Sequence, residues 1–157
     1  MSRTWPPDWE DRRRGVGCRL CLQRRPDRTA GGRRFFEGRY TDGYLRNRGP
    51  LPGYSMVVWR GRHVADPAEM SDDEARNYFS EVVEVGRLLN AVFQPAQLNY
   101  LTFGNSVPHV HTYLLPRYLD DPSPGLPLDP FTEVPVGPEI FAEQLALLQS
   151  QQEKRSG

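Results

Sequence analysis

One long helical pattern constrains this chain more than any other feature. Ser71-Asp72-Asp73-Glu74 sets an N-cap hydroxyl three residues before a carboxylate, the reciprocal arrangement of a capping box. Beyond it Ala75, Tyr78, Phe79, Val82, Val83, Val85, Leu88, Leu89, Val92 and Phe93 recur at intervals close to three and four. The spacing predicts an amphipathic helix of about 22 residues that stops before Pro95.

Short β-rich runs surround that helix. Residues 33–40 and 42–47 read as two strands with a turn near Thr41 to Gly43, and residues 54–59 follow Pro50-Leu51-Pro52-Gly53 as a third. Residues 97–103 and 109–115 are two more, joined by a loop over 104–108, and residues 140–152 form a second helix. Strands, helix, strands and helix in that order predict an α+β fold: an antiparallel sheet of about five strands, the long helix packed on it, and a C-terminal helix. Residues 1–17 form an N-terminal extension in which residues 8–14 make a short helical turn broken at Gly15 and Gly17, with Trp5 and Trp9 as anchors. Residues 18–118 form the main domain, and 119–157 a proline-rich segment with the last helix, whose end from Glu153 to Gly157 is expected to fray.

The net charge is zero, from 20 basic and 20 acidic residues, so no overall field draws the protein to nucleic acid or an anionic membrane. The balance is uneven. Residues 1–62 carry 15 Arg against 6 Asp and Glu, a surplus of nine positive charges that makes this half the natural place for an anion. The Arg33-Arg34 pair by itself reads as a solvated face. No run approaches the roughly 18 apolar residues of a membrane span, and the N-terminus lacks an apolar leader core, which predicts a cytoplasmic location and no membrane partner. There, reductants argue against a structural disulfide in Cys18-x-x-Cys21 and leave a metal site or a redox pair.

The chain has 3 histidines and 2 cysteines, so any chemistry built on them has few residues to use. His109, His111 and Tyr113 alternate along one predicted strand and therefore share a face, opposite Val110, Thr112 and Leu114. Alone, such a pair of imidazoles is also compatible with an ordinary half-buried polar face.

Gly104-Asn105-Ser106-Val107 ahead of His109-Val110-His111, with Leu115-Pro116-Arg117 behind, resembles the signature of the histidine triad family. The Pro52-Gly53-Tyr54 strand ending in Arg62-His63-Val64, followed by the long helix, is similar to the same family. The resemblance implies a histidine-triad-like fold and nucleotide hydrolysis or nucleotidyl transfer at an α-phosphate. His111 would attack phosphorus to form a covalent nucleotidyl-histidine, with one ring nitrogen held by a backbone carbonyl. Gly104, Asn105, Ser106 and Val107 would contact the phosphate. The departure is Tyr113, where the hydrolytic branches carry a third histidine; a phenol is a weaker general acid at neutral pH.

The resemblance also implies a structural Zn2+ in some members, including a set of bacterial proteins, on positions matching Cys18, Cys21, His63 and His109. Two thiolates and two imidazoles suit tetrahedral zinc with no position left for water. For the nucleoside, Asn47 lies near the place of a ribose-holding residue, with Arg46 as the alternative occupant, and Asn99 is a candidate contact. Tyr44, Leu45 and Met56 either line a base pocket or belong to the core, and Arg117 either approaches the leaving group or forms a salt bridge. A homodimer through the long helix is allowed by the resemblance. Two other readings stand beside the enzyme: a non-catalytic nucleotide-binding protein, and a nucleic-acid-binding zinc module. The lack of a basic helix argues against the last, so no nucleic acid is expected as partner.

Overall fold

A computed structural model describes residues 4–157. It is an α+β fold whose main sheet has six strands, antiparallel throughout: β1 (Arg28–Thr29), β2 (Gly32–Glu37), β3 (Thr41–Arg46), β5 (Ser55–Trp59), β7 (His111–Arg117) and β6 (Gln97–Thr102) in that spatial order. A two-residue strand, β4 (Arg48–Gly49), pairs with β8 (Val134–Pro135) and so fastens part of the proline-rich segment. The helices are α1 (Trp9–Arg13), α2 (Arg19–Leu22), α3 (Asp72–Phe93) and α4 (Pro138–Ser156). No helix among the described residues is long and apolar enough to cross a membrane.

Helix α3 runs over the predicted span, and both bonds of the Ser71–Glu74 capping box are made. Its apolar stripe, Tyr78, Val82, Val85, Leu88 and Leu89, is buried against Leu45, Val57, Trp59 and Leu114 of the sheet, with Leu145 and Leu148 of α4 closing the core. Leu45 therefore belongs to the core and not to a pocket. Beneath β7 the Tyr78 and Thr102 hydroxyls each meet the Thr112 hydroxyl at 2.8 Å, so the polar atoms on the helix side of that strand are paired. The opposite face holds a smaller cluster of Tyr44, Met56 and Val58, with Leu20 and Tyr113 against it.

Three local expectations shift. The turn between β2 and β3 falls at residues 38–40 instead of Thr41 to Gly43. Glu81 of α3 reaches across to accept from the Arg39 and Tyr40 amides and the Thr41 hydroxyl, so a tertiary contact sets the turn. Strand β7 begins at His111, leaving His109 just ahead of it. The C-terminal helix continues to Ser156, with Lys154 and Arg155 in its last turn where they complement the helix dipole.

The arginine-rich half also turns inward. Asp42, fully buried, accepts from Arg60 Nε at 2.7 Å, Arg25 Nη2 at 2.7 Å and Arg34 Nη1 at 3.3 Å. Arg60 further donates to the Leu20 carbonyl at 3.0 Å, and Arg25 to those of Gly38 and Thr41. One carboxylate thus binds the segment around α2 to the sheet, and Arg34 is a structural residue rather than a solvated one. Asp42→Ala leaves the buried Arg60 and the partly exposed Arg25 without a carboxylate, while Arg34 keeps Asp27 and Glu37, and is expected to destabilise the fold by about 3 kcal/mol, measured by denaturant unfolding. A loss below about 1 kcal/mol would mean that the cluster does not hold the segment.

Candidate functional site

Alternation along β7 puts His111 and Tyr113 on the face away from α3, across from Val58 and Met56 of β5. Their rings meet edge to face at 5.3 Å between centroids, and Tyr113 stacks on Tyr54, also at 5.3 Å. His111 Nδ1 lies 2.6 Å from the His109 carbonyl oxygen. Because that oxygen only accepts, Nδ1 carries the proton and Nε2 presents its lone pair. Burial holds the His111 imidazole below its ordinary pKa, with the Nδ1 bond opposing and the Arg46 charge assisting, so the ring is neutral at pH 7. Burial pushes the Tyr113 phenol upward, making it a poorer acid than a free tyrosine.

Beside His111 lies a second group. One ligand atom from each of Cys18, Cys21, His63 and His109 falls within 4.8 Å of the others, a set able to hold a metal ion. The two cysteines are free thiols in and just before α2, His63 follows β5, and His109 precedes β7. Cys18 Sγ is 3.5 Å from His109 Nδ1; Cys21 Sγ is 3.4 Å from His109 Nδ1 and 3.5 Å from His63 Nδ1. Both imidazoles turn the other nitrogen outward to a backbone carbonyl: His109 Nε2 to Trp59 at 2.7 Å and His63 Nε2 to Arg13 at 3.0 Å. Protonation at Nε2 leaves both Nδ1 lone pairs facing the thiols, the usual outer-shell arrangement of metal-binding histidines. Gly15 lies against the His63 ring with φ of +91°, where a Cβ would fall 2.8 Å from the ring, so glycine serves both the turn and the histidine's place. Burial takes His109 down to about 4, and burial with the neighbouring Cys18 takes the Cys21 thiol up to about 11.

The remaining sequence candidates are less tightly grouped. Gly104, Asn105, Ser106 and Val107 link β6 to His109, whose amide donates to the Val107 carbonyl at 2.8 Å, and Asn105 and Ser106 are exposed. Asn47 lies just beyond β3 with its Oδ1 buried and unpartnered. Asn99 pairs with Leu115, four residues along β7 from His111, and its Oδ1 accepts from Arg117 at 3.0 Å. Arg117 also holds Asp121 through two bonds and the Ser123 and Leu126 carbonyls, which makes it the anchor of the 118–126 loop, the salt-bridge alternative of its two. Two cavities of about 760 and 590 Å3 are lined by residues of β6 with that loop and by α3 with α4; neither includes His111.

Two supporting features escape sequence reading. The Trp59 and Arg13 carbonyls that orient the histidines leave no trace in side-chain identity. Asp42 does leave one, being the lone acidic residue between Glu37 and Asp66 in a stretch rich in arginine.

Comparison with known proteins bears on the family and the fold. A family model described as HIT domain matches residues 41–120. Bis(5'-adenosyl)-triphosphatase of Saccharomyces cerevisiae (strain ATCC 204508 / S288c) is 25% identical over 89 residues, 54% of this chain and 43% of that enzyme, so the chain spans less than half of this relative's length. A histidine triad protein from Marinobacter aquaeolei VT8 superposes with a TM-score of 0.68 at 23% identity, covering 80% of this chain and 91% of that one. A Zn-bound histidine triad family protein from Mycobacterium smegmatis does so with a TM-score of 0.63 at 18% identity, covering 90% and 94%.

Proposed function

Because this chain belongs to the HIT domain family, we propose that it is a nucleotide hydrolase or nucleotidyltransferase in which His111 attacks the α-phosphate of a nucleoside polyphosphate or phosphoramidate. The observation that carries this reading is the 2.6 Å bond from His111 Nδ1 to the His109 carbonyl, which presents a neutral, unprotonated Nε2. Nε2 forms a bond to phosphorus as the bond to the leaving group breaks, and the leaving group takes up a proton from solvent, which the attacking water returns in the second step. Water or another acceptor then attacks phosphorus, the phosphorus–nitrogen bond breaks, and neutral His111 returns with the nucleotide released. Backbone N–H groups of residues 104–107 and the Ser106 hydroxyl lie in the loop that would receive the phosphate oxygens. Intact mass spectrometry during turnover should detect one added nucleotidyl group. Absence of both adduct and product across dinucleoside polyphosphates and nucleoside phosphoramidates would sink the enzyme reading.

The ion we assign to the four-residue set is zinc. Bonds of about 2.3 Å to sulfur and about 2.0–2.1 Å to nitrogen at tetrahedral angles put sulfur and nitrogen about 3.6 Å apart, close to the separations across the site. Cys18, Cys21, His63 and His109 would hold the ion with no position left for substrate, so it would supply a cross-link and no chemistry. Cys18 and Cys21 would tether α2, His63 the end of β5, and His109 the residue whose carbonyl orients His111.

Tyr113 is assigned as a hydrogen-bond donor to the phosphoryl or leaving-group oxygen. Tyr113→Phe should lower kcat about tenfold with the adduct still forming, read by steady-state and single-turnover kinetics. An unchanged kcat would reduce Tyr113 to a packing residue. A second reading, a nucleotide-binding protein without turnover, is favoured by the 6% exposure of His111 together with Tyr113 in the third motif position. Calorimetry that finds tight nucleotide binding with no product would select it.

A further inference from the structure

The N-terminal extension holds two tryptophans that the core does not use. Helix α1 has no buried residue, and Trp5, expected as an anchor, is 57% exposed. The two indoles meet each other instead, with ring centroids of Trp5 and Trp9 4.5 Å apart. Together with Phe103, Gly104 and Asn105 they line a cavity of about 450 Å3, within the roughly 300–1,000 Å3 usual for small-molecule sites. Aromatic rings left partly in water forgo the stabilisation of burial, and a flat apolar ligand entering the cavity restores it. Trp5 and Trp9 lie outside the residues shared with the family, so its common pattern gives them no role.

Strand register sets this cavity beside the nucleophile. Leu101 pairs with Tyr113 and Thr102 with Thr112. The same register carried one residue further brings Phe103 opposite His111 and onto its face, one cross-strand step of about 5 Å away. Phe131 lies against Phe103, with ring centroids 5.9 Å apart, and extends the aromatic wall. Gly104 and Asn105 belong both to the cavity and to the loop assigned to the phosphate. Asn47, the ribose candidate, follows β3 on the other side of β5, so nucleoside and cavity lie to opposite sides of His111. The charges at the cavity argue against phosphate as its occupant. Arg13 is engaged by Glu69, and Asp66 makes no ion pair among the described residues.

We propose that Trp5, Trp9 and Phe103 form a stacking site for an aromatic ring on the leaving side of the substrate, a second nucleobase, so that the leaving group is itself a nucleotide held by the N-terminal extension. The inference rests on the reading of His111 as the α-phosphate site and adds the place of the departing half. A base stacks on indole and phenyl rings through its face, whatever its hydrogen-bonding edge, so the site selects for an aromatic ring and tolerates different bases.

Steady-state kinetics on the purified protein tests this with diadenosine triphosphate and ATP, which have the same number of phosphates and differ in the second adenosine. The dinucleoside is expected to show a kcat/KM at least about tenfold higher, the scale of one stacked base. Trp5→Ala, Trp9→Ala and Phe103→Leu should each bring that ratio toward one. Tryptophan emission gives a readout apart from turnover. In His111→Ala, which leaves the substrate uncleaved, the dinucleoside should quench it and ATP should not, because Trp59 is buried in the core while Trp5 is exposed. Equal kcat/KM for the two substrates in the unaltered protein overturns the inference and leaves the proposed function standing. So does a preference that survives in both tryptophan variants, or equal quenching by the two ligands, since the second base then lies elsewhere. Absence of product from every nucleotide overturns the proposed function and this inference with it. Should Phe103→Leu or Trp9→Ala not fold, Trp5→Ala, an exchange at an exposed residue, decides by the same ratio.

Discussion

His111→Ala is expected to lower nucleotide turnover by at least about 10³-fold and to abolish the covalent adduct, while the protein keeps its fold. The loss is large because no other side chain on this face offers an equivalent atom. Tyr113 is held further toward its protonated form by burial, and His109 faces the cysteines with Nδ1 while its Nε2 is held by the Trp59 carbonyl. The fold should persist because α3 packs on the opposite face of β7, through Tyr78 and Thr112. His111→Asn, whose amide is able to donate to the His109 carbonyl, separates chemistry from support. It should be as inactive as the alanine variant yet closer to the unaltered protein in thermal unfolding. Mass spectra that retain the adduct in either variant would remove His111 from the reaction.

Cys21→Ser is expected to lose the metal and to lower Tm by about 10 °C, followed by calorimetry and by elemental analysis of zinc per chain. Four connections meet at this point, from α2, from α1 through the Arg13 carbonyl, from the end of β5 and from the start of β7. Neither α1 nor α2 has a buried residue; besides the Arg13–Glu69 pair and Leu20 against the sheet, the Asp42 cluster and, on the proposed function, the ion would carry the attachment. The pH response has a definite sign. Metal must displace a proton from the Cys21 thiol, whose metal-free value is raised to about 11, so affinity rises with pH and zinc is released on acidification. Unaltered stability after chelation would show that the cluster is not a structural metal centre.

Much of the architecture was readable because it depends on local signals. The Ser71–Glu74 box and the apolar spacing to Phe93 placed α3 at its observed bounds, and strand alternation put His111 and Tyr113 on one face. Misplaced features were those set by partners distant in the chain. Asp42-Gly43 has turn chemistry, yet Glu81, some forty residues later, caps the chain at residues 38–40 while Asp42 is drawn into a strand by three arginines. Asn99 read as a candidate contact and Arg117 as either a leaving-group contact or a salt bridge, and only the fold shows the two bonded to each other and Arg117 bonded to the 118–126 loop.

By itself the sequence determined the residue types available for chemistry, three histidines and two cysteines, and the local periodicities that set helix and strands. Tertiary structure alone decided which atoms of those residues are usable. A carbonyl at His109 selects the tautomer of His111, and carbonyls at Trp59 and Arg13 turn two Nδ1 atoms toward two thiols. The reason is physical: hydrogen-bond direction and charge pairing depend on distances between backbone and side-chain atoms remote in the chain, and those distances exist only once the sheet has formed.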